Sequence, residues 1–266
     1  MTRIIAIVLF IVSLALAYYL YDNINSTIEF KKKITVTETQ IKDKLEIIRE
    51  AEKVFLEQNR RYTANWDSLI NFIENGQVPI TVRTEKIIPL SYGEEKVEVT
   101  IDTIGMMPAK DKIFKKTLTI NAADNGTFMG FDTQVGSYVV KRSPSYRLRV
   151  GDKVVQYEFI DKGNVASLAD IKPGDAVTKG QNLITTWDYH LNEKVDIKTL
   201  GVVPGSDKNF DIFVGKIDRN GLKVSVIEVK DPSPINPERK ATNEAKNRQP
   251  LGFGSRTDVG TSGNWE

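Results

Sequence analysis

Eighteen consecutive residues from Ile4 to Tyr21, IIAIVLFIVSLALAYYLY, hold no charge and only Ser13 as a non-aromatic polar residue. At a helical rise of about 1.5 Å per residue the run reaches roughly 27 Å, close to the hydrocarbon thickness of a bilayer. The pattern predicts a membrane-spanning helix, with Ile4, Leu9, Phe10, Leu14 and Leu16 facing lipid. Tyr18, Tyr19 and Tyr21 cluster at one end, where a ring with a polar tip suits the headgroup zone. A cleaved signal peptide is the rival, but the run is long for such a segment and no Ala-x-Ala site follows it. The expectation is an uncleaved anchor over residues 1–22. A short N-terminal tail before a span favours export of the rest, whereas Lys31, Lys32 and Lys33 beyond it argue the other way. The reading adopted is a single-pass protein with its C-terminal domain extracytoplasmic, in the periplasm.

Beyond the span the apolar period becomes that of an amphipathic helix. Ile34, Ile41, Ile48 and Phe55 recur every seven residues, and Leu45, Ile47, Ala51 and Val54 thicken the same side. Glu38 and Glu52 interrupt what would be a coiled-coil seam. Packing on the chain's own domain and self-association through the helix 34–55 both fit this stripe. Thr35, Val36 and Thr37 are β-branched, which predicts a break just above the membrane. After the polar joint Asn59–Thr63, Thr63 or Asn65 can cap a second helix with Trp66, Leu69, Ile70, Phe72 and Ile73, closed by Asn75-Gly76 and Pro79. Residues 23–79 are thus a helical stalk and a short second helix.

From Ile80 the period shortens to two. Val97, Val99, Ile101 and Thr103 alternate with Glu98, Thr100 and Asp102, as in a half-buried strand. Further strands are predicted at 117–121, 137–141, 146–150, 153–160, 183–187 and 195–198, between Gly-containing turns. The clearest hairpin joins 210–217 to 222–230 through Asp218-Arg219-Asn220-Gly221. Residues 80–230 form a β-rich domain of barrel-sandwich or small β-sandwich type, so the fold class is α+β. Past Lys230, prolines at 232, 234, 237 and 250 and a sparse apolar content predict an extended or disordered tail over 231–266. Leu251, Phe253 and Trp265 are apolar points on it, suited to docking on a partner; a passive tail fits the composition equally.

Composition changes this picture little. With 37 basic against 35 acidic residues, no bulk charge draws the chain to nucleic acid. The absence of cysteine excludes disulfides, thiolate metal sites and cysteine nucleophiles. His190 is the only histidine, which excludes multi-histidine metal centres and leaves one imidazole at most. No nucleophile elbow, phosphate loop, dinucleotide fingerprint or calcium loop is present. Asp124 and Asp132 beside Gly126 and Gly130 read as turn carboxylates rather than metal ligands. Tyr138, Lys141, Arg142, Tyr146, Arg147 and Arg149 read as a solvated sheet face rather than a single-strand binding patch. Lys31–Lys33 can contact anionic headgroups or remain simply solvated. No catalytic residue, metal, cofactor or small-molecule substrate is expected.

Three resemblances add to this reading. The apolar helix, its amphipathic continuation and the Ala51, Phe55, Tyr62, Trp66, Leu69 series resemble the stalk and first loop of type IV pilins and pseudopilins. Because no glycine precedes Gly76 and no acid stands inside the span, prepilin-type processing is not expected. Residues 41–79 also resemble uncharacterised single-pass proteins of Bacteroidota and their phages. Ile171-Lys-Pro-Gly-Asp-Ala-Val-Thr-Lys-Gly-Gln-Asn-Leu is similar to the turn signature of barrel-sandwich, lipoyl-like modules, a likeness running from Asp170 to Val203. It implies sharp reversals at Gly174 and Gly180, inward-pointing Val177 and Leu183, and a strand return at Gly201-Val202-Val203. Where carrier modules hold an acceptor lysine this chain has His190, with Lys194 four residues later, so a structural use is expected and not lipoylation or biotinylation. The combined expectation is a membrane-anchored, non-enzymatic structural or interaction protein of an envelope-associated or virion-associated assembly. A periplasmic adaptor of a transport or secretion system is the alternative, and a membrane-tethered hydrolase has no supporting constellation.

Overall fold

The structure, a computed structural model, describes residues 2–89, 95–239 and 245–266, in places by backbone alone. The chain is α+β: a long N-terminal helix precedes a β-rich part. It divides into two compact units, the first made of residues 1–72 and 195–266, the second of 73–194. This boundary differs from the expected one, because the 210–230 hairpin belongs with the helix and not with the strands before it.

Helix α1 (Thr2–Asn59) is one unbroken helix of 58 residues. At about 1.5 Å per residue it is roughly 87 Å long. The break expected at Thr35–Thr37 does not form. Thr35 Oγ1 donates to the Lys31 carbonyl at 3.1 Å and Thr39 Oγ1 to the Thr35 carbonyl at 2.9 Å, so the hydroxyls are satisfied inside the helix. Thr37 is buried, and tertiary packing outweighs the modest propensity cost of three β-branched residues. The helix closes at Arg60, whose φ of 58° is left-handed and whose N–H donates to the Leu56 carbonyl at 2.8 Å. Helix α2 (Trp66–Asn75) is capped by Asn65, whose side-chain oxygen accepts from the Ser68 N–H at 2.9 Å.

The second unit begins with a ribbon of β1 (Gln77–Pro89) and β2 (Glu95–Pro108), antiparallel from Gln77↔Pro108 to Pro89↔Glu95. The side chains expected to alternate at Val97, Val99 and Ile101 lie outside the described residues. After α3 (Ala109–Phe114) come β3 (Lys115–Asn121), β4 (Gly126–Phe131), β5 (Tyr138–Val139), β6 (Pro144–Val150), β7 (Lys153–Glu158), β8 (Gly163–Leu168), β9 (Ala176–Val177) and β10 (Asn182–Tyr189). They form two four-stranded antiparallel sheets, in the orders β3-β10-β8-β5 and β7-β6-β4-β9. Both sheets contribute to one core that includes Ile120, Phe128, Tyr146, Leu148, Val165 and Ile184. Tyr146 is buried with its hydroxyl accepting from the Ala123 N–H at 3.1 Å, which removes the cost of placing a phenol inside.

The first unit holds the remaining strands, β11 (Asp211–Arg219), β12 (Leu222–Lys230) and β13 (Gly252–Gly254), in that order in one antiparallel sheet. Asn220 at φ 53° and Gly221 at φ 81° make the tight return between β11 and β12. The strand expected at Val195–Lys198 is replaced by a 3-10 turn over Ile197–Thr199, because the Asp196 carboxylate accepts from the Lys198 N–H at 3.0 Å. The buried apolar side chains of this unit come from α1 (Ile41, Leu45, Ile48, Ala51), the 195–210 segment (Leu200, Val203, Phe210), β12 (Val226, Val229) and β13 (Phe253). Gly201 marks a close fit against a side chain. A Cβ there would stand 2.8 Å from Cδ2 of the Trp66 indole. Gly201→Ala is therefore expected to cost about 1–3 kcal/mol by overpacking, read as a lower urea midpoint at unchanged m-value.

Candidate functional site

The face of α1 between Glu38 and Phe55 is where distant parts of the first unit converge, and its polar residues do the holding. Glu38 accepts from Arg239 Nε at 2.6 Å and from Asn236 Nδ2 at 3.0 Å. Burial alone would raise this carboxyl, but the bonds from Arg239 and Asn236 outweigh it and hold the group below its ordinary value. Lys44 Nζ donates to the Val202 carbonyl at 2.8 Å and to the Thr199 carbonyl, and burial lowers its pKa despite the nearby Asp196. Trp265 Nε1 donates to Glu46 at 3.3 Å. The Arg49 guanidinium donates to Glu266 and lies 5.9 Å from the centre of the Trp265 ring. The Arg49 bond keeps the Glu266 carboxyl below its ordinary value.

Glu52 lies among the apolar stripe residues and is 1% exposed. One of its oxygens accepts from the Thr63 N–H at 3.0 Å, and the other, buried, has no hydrogen-bond partner among the described residues. Desolvation pushes its pKa up to about 8, against the smaller lowering effect of the Thr63 bond. Burial and the neighbouring Glu52 also raise the Tyr62 phenol. The enclosure that shifts Glu52 also denies it a substrate, so it is an interior proton site and not an accessible acid or base. The sequence signal for Glu38 and Glu52 was present: both are acids set into an apolar heptad stripe.

The segment after Lys230 is not a free string where it is described. Leu251 and Phe253 are buried, and Trp265 is half-buried on α1 beside Glu46 and Arg49. Its backbone finds the edge of β12, with Val229 opposite Phe253, and its polar side chains find partners on α1. A segment poor in apolar residues orders here because backbone pairing and ion pairs complete the few buried rings. The docking surface expected for a partner is filled from within the same chain. The stripe of 34–55 is likewise occupied: Ile41, Ile48 and Phe55 are buried in their own unit.

The rest of α1 projects uncovered. Leu9, Phe10, Leu14, Leu16, Tyr18, Tyr19 and Tyr21 are exposed, from 55% at Leu14 to 73% at Tyr18. The side chains of Ile4 and residues 6–8, which open the apolar run, lie outside the described residues. Among those described, no helix is long and apolar enough to cross a membrane.

In the second unit, Gly174 and Gly180 take left-handed φ values of 104° and 87°, and Val177 and Leu183 enter the core. Gly201-Val202-Val203 lies in the first unit against Trp66, not in a returning strand. His190 follows β10 and is exposed, as is Lys194. The basic and aromatic residues do not assemble a stacking groove, since Tyr146 is inside the core on Tyr157 and Arg147 pairs with Asp132 at 3.0 Å. Asp124 accepts from the Tyr157 hydroxyl at 2.8 Å. Among the described residues no group of three or more histidine, aspartate or glutamate side chains could hold a metal ion. No protein-family model matches the chain, and no curated protein is similar enough to count as a relative.

Proposed function

We propose that this protein is a membrane-anchored, single-pass structural and interaction component of an envelope-associated or virion-associated assembly, without catalytic activity, its folded part extracytoplasmic. The observation behind this reading is the projecting part of α1, where apolar side chains from Leu9 to Leu20 are exposed and nothing among the described residues covers them. A helix apolar on every side is stable only in lipid or inside a larger packing, since each uncovered Leu, Ile or Phe forfeits about 1.5–3 kcal/mol. Ile4 to Val8 extend the same run in sequence to the length a bilayer requires. Lys31, Lys32 and Lys33 are exposed about three turns beyond Tyr21, where each cation near a membrane surface can gain about 1 kcal/mol from anionic headgroups. The folded part of the same chain is braced along α1 by side-chain bonds from Asn236, Arg239 and Trp265, as a rigid scaffold needs to be.

Alkaline carbonate extraction of expressing cells tests the anchor. The intact chain is expected in the membrane pellet, and a variant with Leu9, Leu14 and Leu16 replaced by aspartate is expected in the supernatant. Identical partitioning of the two would overturn the reading. A C-terminal reporter active only in the cytoplasm would overturn the orientation. The adaptor alternative draws on the two-sheet unit with its Gly174 and Gly180 turns; detergent co-purification of a ring-forming partner with a transporter would favour it.

A further inference from the structure

We infer that the projecting part of α1 is the contact surface for a second copy of this chain, through a parallel seam of Phe10, Leu14, Ala17, Tyr21, Ile24 and Ile28. The inference rests on the anchored reading above and names the partner that reading leaves open. These six positions follow one another at spacings of four, three, four, three and four residues, the repeat that keeps one face of a helix turned toward a neighbour. All six are exposed.

Lipid alone does not account for the seam. Past Tyr21 the chain turns polar, and Asp22, Asn23, Asn25, Ser26, Thr27 and Glu29 all fall off the seam. Ile24 and Ile28 stay on it, 59% and 58% exposed, beyond the apolar run that a bilayer core covers. The next two seam positions are Lys31 and Thr35, and from Thr37 onward the chain begins to bury the helix itself. The free seam thus ends where the protein's own cover starts.

The occupant follows from charge and direction. Copies inserted the same way meet in parallel, so identical residues face each other across the contact. Between Phe10 and Ile28 no seam position is charged, and such a self-pairing sets no like charges opposite one another. Ala17 lets the backbones approach within the apolar run. The stripe at 34–55, the other place for self-association, is already occupied from within the chain.

The protein has no cysteine, so single cysteines can be placed in the full-length chain in native membranes and oxidised. Disulfide-linked dimer is expected at Tyr21→Cys, Ile24→Cys and Ile28→Cys at least about fivefold above Asn23→Cys, Ser26→Cys and Glu29→Cys. Adding Ile24→Ser to Ile28→Cys is expected to cut the cross-link severalfold. A flat profile, a maximum on the polar face, or cross-linking only to a different protein would overturn the inference. Carbonate extraction of the same samples separates the two readings. Chains that stay in the pellet without the periodic cross-link refute the seam alone, and chains that leave the pellet refute the anchor.

Discussion

Phe253→Ala is expected to destabilise the first unit by about 3–5 kcal/mol, the loss typical of emptying a fully buried aromatic position. The prediction is severe for a residue in a stretch whose composition is that of a disordered tail. Phe253 is 2% exposed and sits opposite Val229 on the edge of β12. The glycines on either side allow that approach: a Cβ at Gly252 would stand 2.5 Å from the Val229 carbonyl oxygen, and one at Gly254 would collide with that of Ile227. The strand therefore lies tight on its neighbour and delivers the ring inward. Val259→Ala, in the same segment at a position 38% exposed, should change stability by less than about 0.5 kcal/mol. Urea unfolding of the detergent-solubilised chain, followed by tryptophan fluorescence, compares the two. Equal small effects would mean that the segment is not part of the core.

Glu52→Gln is expected to stabilise the protein at neutral and alkaline pH and to leave it unchanged under acid. The sign follows from the raised folded-state pKa. Below the ordinary value of 4.5 the carboxyl is protonated in both folded and unfolded chains, so burial carries no ionisation cost. As pH rises from there toward about 8, the unfolded chain ionises while the folded chain holds its proton, and stability is lost across that window. At about 1.4 kcal/mol per pK unit the full loss is on the order of a few kcal/mol. Glutamine keeps an acceptor for the Thr63 N–H and never ionises, so it abolishes the slope. Unfolding free energies at pH 4 and pH 8 for both chains decide it: parallel pH dependences would show that Glu52 is not the titrating group.

Local periodicity carried a large part of this structure. The stripe Ile41, Leu45, Ile48, Ala51 is the buried side of α1, and the Asn220-Gly221 return joins β11 to β12 because the positive φ angles it needs come with those residue types. Three features were not legible for a common reason: each is decided by a partner far along the chain. The continuity of α1 through Thr35–Thr37 depends on the burial of Thr37, which weak local preferences cannot report. The order after Lys230 depends on the β12 edge and on Glu38 and Arg49, which composition does not encode. Gly201-Val202-Val203 has the shape of a strand return, yet Trp66 determines where it goes. In the candidate site, Glu38 and Glu52 showed as flaws in a coiled-coil seam, and their meaning came only with Arg239 and Thr63 in place.

The bonds of Arg49 to Glu266 and of Trp265 to Glu46 span 217 and 219 residues of chain. During synthesis the long helix is therefore made early, well before the Leu200–Phe210 segment, β12 and β13 that share its core. The 73–194 unit, whose core is contributed by its own residues, has no such wait. A nascent or prematurely terminated chain accordingly shows quality-control proteases and chaperones an uncovered Ile41–Phe55 face.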